Sequence, residues 1–279
     1  MKISIITVCY NALQTIGYTI NSVLSQDYPD IEYIIVDGKS TDGTVELLQQ
    51  WSKEYPIRWV SEKDAGIYDA MNKGIAMATG DVIGILNADD FYSNSHVVSQ
   101  IAETFRQQNV DSVYADLAYV DAENVHKTIR YWASGTYSHG AFLRGWMPPH
   151  PTFFVKREVY QQFGSFNLSF RSAADYELML RLLHKNRVST AYLPQVTVMM
   201  RVGGVSNSSW RNRWKANRED ALAWKINGLQ PRLFTMMLKP VRKVHQYVLA
   251  VGHSPASVSE FRYFRKLRSS LLPKTLTTN

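Results

Sequence analysis

The chain has 279 residues, 45% of them hydrophobic and 20% charged, which is ordinary for a globular protein with one large α/β domain or two small ones. Its single cysteine, Cys9, excludes an internal disulfide framework and fits a reducing compartment, and no apolar run approaches the roughly 20 residues that span a bilayer. Residues 205–279 hold fourteen Lys and Arg against three Asp and Glu, although the whole chain carries only +7. We therefore expect a cytosolic protein whose acidic and basic parts do different jobs.

The first part of the chain alternates strand patterns with helix patterns. Buried strands are predicted at residues 3–8, 32–36, 57–60 and 82–86, and helices at 15–26, 45–51 and 67–78. Such alternation is typical of a parallel sheet that is covered by helices on both faces. The predicted fold class is therefore α/β.

Aromatic and polar residues follow each of these strands, so they are expected to meet at one edge of the sheet, where open α/β sheets bind ligands. They are Tyr10, Asp37, Asp64 and the group Asn87, Asp89 and Asp90. An aromatic ring at this edge can stack on a base, and a carboxylate can accept hydrogen bonds from a base or a ribose. Taken singly, Tyr10 could equally be a core residue, and Asp37 and Asp64 could be turn or helix-cap residues.

The adjacent carboxylates of Asp89 and Asp90 repel each other unless a cation lies between them or one of them is protonated. Mg²⁺ and Mn²⁺ take oxygen ligands and commonly bridge a carboxylate to a diphosphate. The first turn, residues 9–13, lacks the glycines of a dinucleotide-binding loop, and the chain has no Walker-type loop. A metal–diphosphate site is one interpretation of this pair, and a turn capped by polar side chains is the other.

Four ordered motifs, at residues 4–11, 36–44, 64–74 and 86–90, carry a resemblance to a known family. Over residues 1–205 the chain resembles the family 2 glycosyltransferases. The resemblance implies a GT-A fold with a nucleotide-sugar-binding half at 1–92 and an acceptor-binding half at 93–205. It also implies inverting transfer of a sugar from a nucleoside-diphosphate sugar, with Mn²⁺ or Mg²⁺ as the cofactor.

The same resemblance implies roles for the residues at the sheet edge. Tyr10, Asp37 and Asp64 would hold the nucleoside of the donor. Asp89 would lie near the ribose, and Asp90 would ligate the metal at the diphosphate.

Three further positions match or depart from the family motifs. Asn72 and Lys73 belong to an Asn-Lys-Gly sequence, and Lys73 would contact a phosphate or else lie solvated on its helix. Gly38 stands where many members have a second acidic residue. His150 lies between two prolines in an extended loop, and similar transferases often have a histidine here, close to the donor diphosphate or metal. The alternative for His150 is a surface-loop histidine.

Asp175 begins a predicted helix that runs to His184, and the resemblance makes it the candidate catalytic base. On that helix it shares a face with Leu178, Met179 and Leu182. A charged group on an apolar face has to be paired, capping or functional. The alternative is structural, because the spacing of Ser172 and Asp175 also fits a capping box.

Residues 206–279 lie outside the resemblance and form a predicted basic helical region in which aromatic residues alternate with Arg and Lys. This composition suits a helix on an anionic membrane, helices packed on the catalytic domain with a solvated basic face, or a nucleic-acid surface. We expect the membrane rather than a nucleic acid. Antiparallel strands at 112–119 and 125–131 are expected in the acceptor-binding half.

The sequence therefore predicts an inverting, metal-dependent hexosyltransferase-type enzyme that acts on a glycan or lipid-linked glycan of a bacterial surface polysaccharide. It would be peripheral at the inner face of the plasma membrane. Two alternatives are a nucleotidyltransferase acting on sugar phosphates and, from a different class, a basic nucleic-acid-binding protein.

Overall fold

The computed structural model describes residues 1–203, 210–231 and 235, and for residues 210–217 the backbone alone. Its first part alternates strands and helices as the sequence predicts. The elements are β1 (Ile3–Cys9), α1 (Ile16–Leu24), β2 (Ile31–Asp37), α2 (Thr44–Glu54), β3 (Ile57–Ser61), α3 (Ile67–Met77) and β4 (Val82–Ile85).

The second part mixes short strands, turns and helices. In chain order it contains β5 (Phe91–Tyr92), α4 (Val97–Gln108), β6 (Ser112–Val120), β7 (Thr128–Trp132), β8 (Phe154–Lys156), α5 (Arg157–Phe163), α6 (Ala174–Met179), β9 (Thr190–Arg201) and α7 (Trp210–Ile226). The residues after α6 continue as a π-helical turn, Leu180–Lys185. The predicted antiparallel pairing of the strands now labelled β6 and β7 is confirmed.

The described strands form one nine-stranded sheet in the order β3-β2-β1-β4-β8-β6-β9-β5, with β7 paired to β6. The strands β1 to β4 are parallel to one another, whereas β8 is antiparallel to both β4 and β6. The α/β class with a mostly parallel central sheet is thus confirmed, and β8 joins the two halves of the chain.

The core lies on both faces of this sheet. Neighbouring residues of β1, Ile5 and Ile6, point to opposite faces and both have no exposed surface. Strands covered on both faces need such continuous apolar runs. Helix α3 lies directly on β1, since a Cβ added at Gly74 would be 2.3 Å from the Ile6 side chain.

Helix α7 packs against α6, although it lies beyond the predicted boundary at residue 205. Ala223 and Trp224 belong to the same buried cluster as Leu178 and Met179 of α6. Packing on the catalytic domain is therefore seen within residues 219–229, whereas most of the predicted basic tail lies outside the described residues. In the part of the chain that the structure describes, no helix is long and apolar enough to span a membrane.

Candidate functional site

The C-terminal ends of the parallel strands lie side by side. Cys9 is in register with Asp37, and Asp37 is in register with Ser61, so the loops after β1, β2 and β3 start at the same edge. Strand β4 reaches this edge as well, where the Leu86 N–H donates to the Ile6 carbonyl at 2.9 Å. The predicted meeting of these polar loops at one edge is confirmed.

Tyr10 and Asp64 lie next to Gly38. A Cβ at Gly38 would be 2.6 Å from Asp64 Oδ2 and 3.4 Å from Tyr10 Cδ2, so the missing side chain makes room for the Asp64 carboxylate. Tyr10 is 67% exposed, which rules out the alternative that it is a core residue. Asp64 also makes a turn contact, since its Oδ1 accepts from the Gly66 N–H at 2.9 Å. The exposed ring and the carboxylate form a corner that could receive a base or a ribose.

Asp37 has no exposed surface and is held by several protein groups. It accepts hydrogen bonds from the Ser40 N–H at 2.9 Å, from the Ser40 hydroxyl, from Ser61 Oγ at 2.6 Å and from Cys9 Sγ at 3.5 Å. Burial, together with the charge of Asp37, raises the pKa of the Cys9 thiol. Asp37 thus ties the first three strand ends together, and its direct contact with a nucleoside stays a prediction.

Asp90 is fully buried in the loop after β4, and its two carboxylate oxygens differ in their hydrogen bonding. Its Oδ2 accepts from Asn87 Nδ2 at 3.2 Å, while among the described residues no donor reaches Asp90 Oδ1 or pairs with Asn87 Oδ1. Burial and the charge of Asp89 raise the pKa of Asp90 well above its usual value, and burial also raises the pKa of Asp89. Asp89 is the more accessible of the two.

These two carboxylates fit a divalent cation. Asn87 and Asp90 contact each other, and each has a buried side-chain oxygen that no donor among the described residues reaches. Within the described ranges, no three His, Cys, Asp or Glu side chains lie close enough to hold a metal by themselves. Mg²⁺ is usually bound by one or two carboxylates together with substrate phosphates, so a pair suffices.

Arg201, at the end of β9, binds the loop that carries Asp89 and Asp90. The sequence did not identify it as a site residue. Its Nε donates to the Asp89 carbonyl at 3.1 Å, and its Nη1 donates to the Ala122 carbonyl at 3.1 Å. The guanidinium lies 4.6 Å from the centre of the Tyr18 ring. Arg201 therefore places a positive charge beside the two carboxylates.

Asn72 and Lys73 of α3 both contact other groups of the protein. Asn72 Nδ2 donates to the Phe166 carbonyl, and Asn72 Oδ1 accepts from the Phe166 N–H, both at 2.9 Å. Lys73 Nζ donates to the Lys63 carbonyl at 2.8 Å and pairs with Glu62 at 2.9 Å. These contacts give both residues a structural role, and their contact with the donor stays a prediction.

Asp175 lies half-buried in the first turn of α6, where Tyr68 Oη donates to its Oδ1 at 3.3 Å. The Tyr68 ring stacks on Phe166 at 5.4 Å between centroids. The alternative capping box is not formed, because the Ser172 hydroxyl donates to Glu219 and α6 has no side-chain cap from its own N-cap residue. The Asp175 carboxylate is thus not used in a capping box, and it lies beside the rings of Tyr68 and Phe166.

His150 lies in the same cluster and is only 8% exposed, so it is not a surface-loop histidine. Its ring meets the Phe166 ring edge-on at 5.3 Å. Burial lowers the pKa of His150, and the nearby charge of Asp175 opposes this shift. The turn His150–Thr152 packs against β4, so this cluster lies beside the strand that ends in the two carboxylates.

Sequence reasoning missed Tyr68, Phe166 and Arg201 as parts of the site. Tyr68 stands within the motif at 64–74, so that motif offered a signal for it. Phe166 and Arg201 contact the site only through tertiary structure, and no local pattern marks them.

Comparison with known proteins supports one family. The model of glycosyl transferase family 2 matches residues 4–172. An uncharacterised glycosyltransferase of Mycobacterium tuberculosis is 34% identical over 181 residues, which cover 64% of this chain and 68% of that protein. A glycosyltransferase of Mycobacterium bovis named for PGL/p-HBAD biosynthesis is 26% identical over 208 residues, covering 74% of this chain and 79% of its own.

Solved structures confirm the GT-A fold. Residues 1–349 of Staphylococcus aureus TarS, in complex with UDP-GlcNAc, align with a TM-score of 0.65 at 17% identity, over 86% of this chain and 70% of that one. A mannosyltransferase of Pyrobaculum calidifontis, in complex with GDP-Man and Mn²⁺, aligns with a TM-score of 0.63 at 19% identity, over 98% and 81%. This chain covers 43% of the length of a longer TarS structure.

Among the enzyme functions that the sequence raised, the family match favours the glycosyltransferase over the nucleotidyltransferase, because the matched residues include all four motifs at the sheet edge. The chain belongs to glycosyl transferase family 2 and is a glycosyltransferase.

Proposed function

We propose that the enzyme transfers a sugar from a nucleoside-diphosphate sugar to an acceptor hydroxyl, with inversion at the anomeric carbon. The observation that carries this proposal is the pair Asp89 and Asp90 at the end of β4, where a buried carboxylate oxygen has no donor among the described residues. Such a pair is suited to a cation that also binds a diphosphate. Two proteins of the same fold bind UDP-GlcNAc or GDP-Man, which supports a donor of this class.

The donor would lie along the edge formed by the ends of β1 to β4. The exposed ring of Tyr10 would stack on the base, and the carboxylate of Asp64 would accept hydrogen bonds from the base or the ribose. Asp90 would hold Mn²⁺ or Mg²⁺, which supplies neutralisation of the charge that develops on the leaving diphosphate, and Asp89 would lie beside it near the ribose. Asp37 would act indirectly, by fixing the loops that carry these groups.

Asp175 would be the catalytic base on the acceptor side. As the acceptor oxygen bonds to the anomeric carbon, the bond from that carbon to the diphosphate oxygen breaks on the opposite face. The hydroxyl proton passes to a carboxylate oxygen of Asp175. Tyr68 donates to Oδ1 at 3.3 Å and so orients the carboxylate, and its ring stacks on Phe166, which in turn meets His150.

The test of this assignment is Asp175→Asn, which keeps the shape of the side chain but cannot accept the proton at neutral pH. We expect turnover to fall at least ~100-fold while donor affinity stays unchanged, since positioned bases contribute about 10²–10⁴-fold. Release of UDP from UDP-GlcNAc, or of GDP from GDP-Man, measures this with Mn²⁺ present. Near-normal turnover with a lowered melting temperature would make Asp175 a structural residue.

We further propose that the acceptor is a glycan or lipid-linked glycan at the inner face of the plasma membrane. Support comes from the surplus of Lys and Arg in residues 205–279, because basic segments are attracted to anionic lipids. The M. bovis relative is named for PGL/p-HBAD biosynthesis, which is consistent with this class of acceptor. The full-length protein should sediment with vesicles containing phosphatidylserine at low salt; failure to do so would remove the membrane from this proposal.

A further inference from the structure

The turn that carries Asp175 is held by a carboxylate from another helix. Glu219 of α7 accepts hydrogen bonds at Oε2 from the Ser172 N–H (2.8 Å), the Ser172 hydroxyl (3.0 Å) and the Ala173 N–H (2.9 Å). Its Oε1 accepts from the Arg171 N–H at 3.3 Å. Glu219 therefore holds, from α7, the turn that leads into α6, whose own N-cap residue Ala173 makes no side-chain cap.

Two more residues of the C-terminal segment bind the positions directly after Asp175. Trp224 Nε1 donates to Tyr176 Oη at 2.9 Å, and the Trp224 side chain is only 1% exposed. Asn227 Nδ2 donates to Glu177 Oε1 at 2.9 Å. The C-terminal segment therefore contacts the chain on both sides of Asp175. Glu219 binds the residues before it, and Trp224 and Asn227 bind the residues after it.

The same segment is also connected, through other residues, to the aromatic side chains beside Asp175. Glu177, which Asn227 contacts, pairs with Arg181 at 2.8 Å. Arg181 then donates to the carbonyls of the three residues that precede Phe166, which are Phe163, Gly164 and Ser165. Because Phe166 stacks on Tyr68 and meets His150, this chain of polar contacts connects α7 with the surroundings of the Asp175 carboxylate.

We propose that Glu219 is a positioning residue for sugar transfer and that helix α7 fixes the Asp175 carboxylate relative to the acceptor hydroxyl. This inference rests on the proposed role of Asp175 as the base. Helix α7 lies beyond residues 4–172, so the part of the chain matched by the family model does not include Glu219 or the rest of this helix.

The expected consequence concerns the rate rather than donor binding. Glu219 contacts residues 171–173 and none of the groups proposed to hold the donor. A base has to lie within hydrogen-bond reach of the proton that it removes. A displacement of about 1 Å by a change outside the reacting groups can lower the rate about 100-fold. Loss of Glu219 should therefore lower kcat and leave the donor KM nearly unchanged.

The experiment compares Glu219→Ala with Glu219→Gln in the full-length protein, using UDP-GlcNAc or GDP-Man with Mn²⁺, whichever donor the wild type turns over. For Glu219→Ala we expect kcat to fall roughly 10- to 100-fold, with the donor KM within about 2-fold of wild type. The Gln amide oxygen can take the place of Oε2 and keep its three contacts, so Glu219→Gln should lie within about 3-fold of wild type. The control is Leu222→Ala, an exposed position on the same helix, which should leave kcat unchanged.

A double-mutant cycle with Asp175→Asn separates this inference from the proposal on which it rests. If Glu219 acts through Asp175, adding Glu219→Ala to Asp175→Asn lowers kcat no further. Multiplicative losses, or an unchanged kcat per folded molecule in Glu219→Ala, would overturn the inference. Should Glu219→Ala fail to fold, Glu219→Asp takes its place, because its shorter side chain cannot span the same contacts. An active Asp175→Asn variant would instead refute the base itself.

Discussion

Two buried carboxylates at opposite ends of the parallel strands have opposite environments. Glu32 is 8% exposed at the start of β2, where it accepts hydrogen bonds from Ser4, from the backbone and hydroxyl of Thr79, and from Arg58. Burial alone would raise its pKa, but these donors outweigh burial and lower the pKa of Glu32 to about 2. Asp90 is 0% exposed at the end of β4, and burial raises its pKa well above the usual range.

The difference separates a carboxylate whose oxygens are all bound by the protein from one that the proposed cation would complete. At the N-terminal ends of the strands, Glu32 accepts four hydrogen bonds that join β2 to Ser4 of β1, to Arg58 of β3 and to Thr79 before β4. At the C-terminal ends one oxygen of Asp90 finds no donor within the described ranges. A buried charge without enough donors destabilises the fold unless something else binds it. Of these two carboxylates, the one with an oxygen that lacks a donor is therefore the one at the proposed donor-binding edge.

The largest effect is expected for catalysis by Asp90→Asn. Losing the charge that would bind the cation should lower turnover at least ~100-fold, since a metal supplies several kcal/mol of transition-state stabilisation. It should also abolish the rise in melting temperature that Mn²⁺ produces together with UDP or GDP. The matched control is Asp81→Asn at the exposed start of β4, which should retain turnover. Undiminished turnover of Asp90→Asn would remove the metal from the proposal.

A smaller effect, on stability rather than turnover, is expected for Glu32→Gln. Hydrogen bonds to a charged acceptor contribute about 2 kcal/mol, so the free energy of unfolding at pH 7 should fall by about that amount. Because the folded pKa of about 2 lies below the ordinary 4.5, this stabilisation is present above pH 4.5 and is lost as pH falls toward 2. Urea unfolding at pH 7, 4 and 3 should show the variant and the wild type converging. Glu54→Gln, at an exposed position, should show neither change.

The smallest effect, of opposite sign, is expected for the stability of Asp90→Asn without metal. The raised pKa of Asp90 means that the folded state holds its proton more tightly, so ionisation destabilises the fold as pH rises above the ordinary 3.8. In EDTA at pH 7 the variant should be more stable than wild type by about 1 kcal/mol. That gain should shrink toward pH 4. A loss of stability at pH 7 would show that Asp90, like Glu32, is satisfied without metal.

Local patterns were enough to locate the loops of the site. Apolar runs such as Ile3–Cys9 set the strands, and the alternation with helices required their C-terminal ends to share an edge. That reasoning placed Tyr10, Asp64 and Asp90 correctly relative to the sheet. The sequence pattern did not predict which of these side chains are buried, because burial depends on contacts with residues of other helices and strands.

Long-range partners explain the residues whose roles were not predictable. Asn72 is clamped to Phe166, 94 residues away, and Tyr68 reaches Asp175 across 107 residues. Neither contact leaves a periodic signal in the sequence. The position of β8 between β4 and β6 is likewise a tertiary property, since strand order in a mixed sheet is not set by local propensity.

The lone thiol of Cys9 has a practical consequence. It is 6% exposed, and burial raises its pKa, so it holds almost no thiolate, which is the form that reacts with alkylating reagents. The natural sequence, with one cysteine, therefore already serves as a background for site-specific labelling. A cysteine introduced at Leu168, which is 52% exposed in the loop after Phe166, would accept a fluorophore selectively. Its emission would report acceptor-side rearrangements in solution without any cysteine having to be removed.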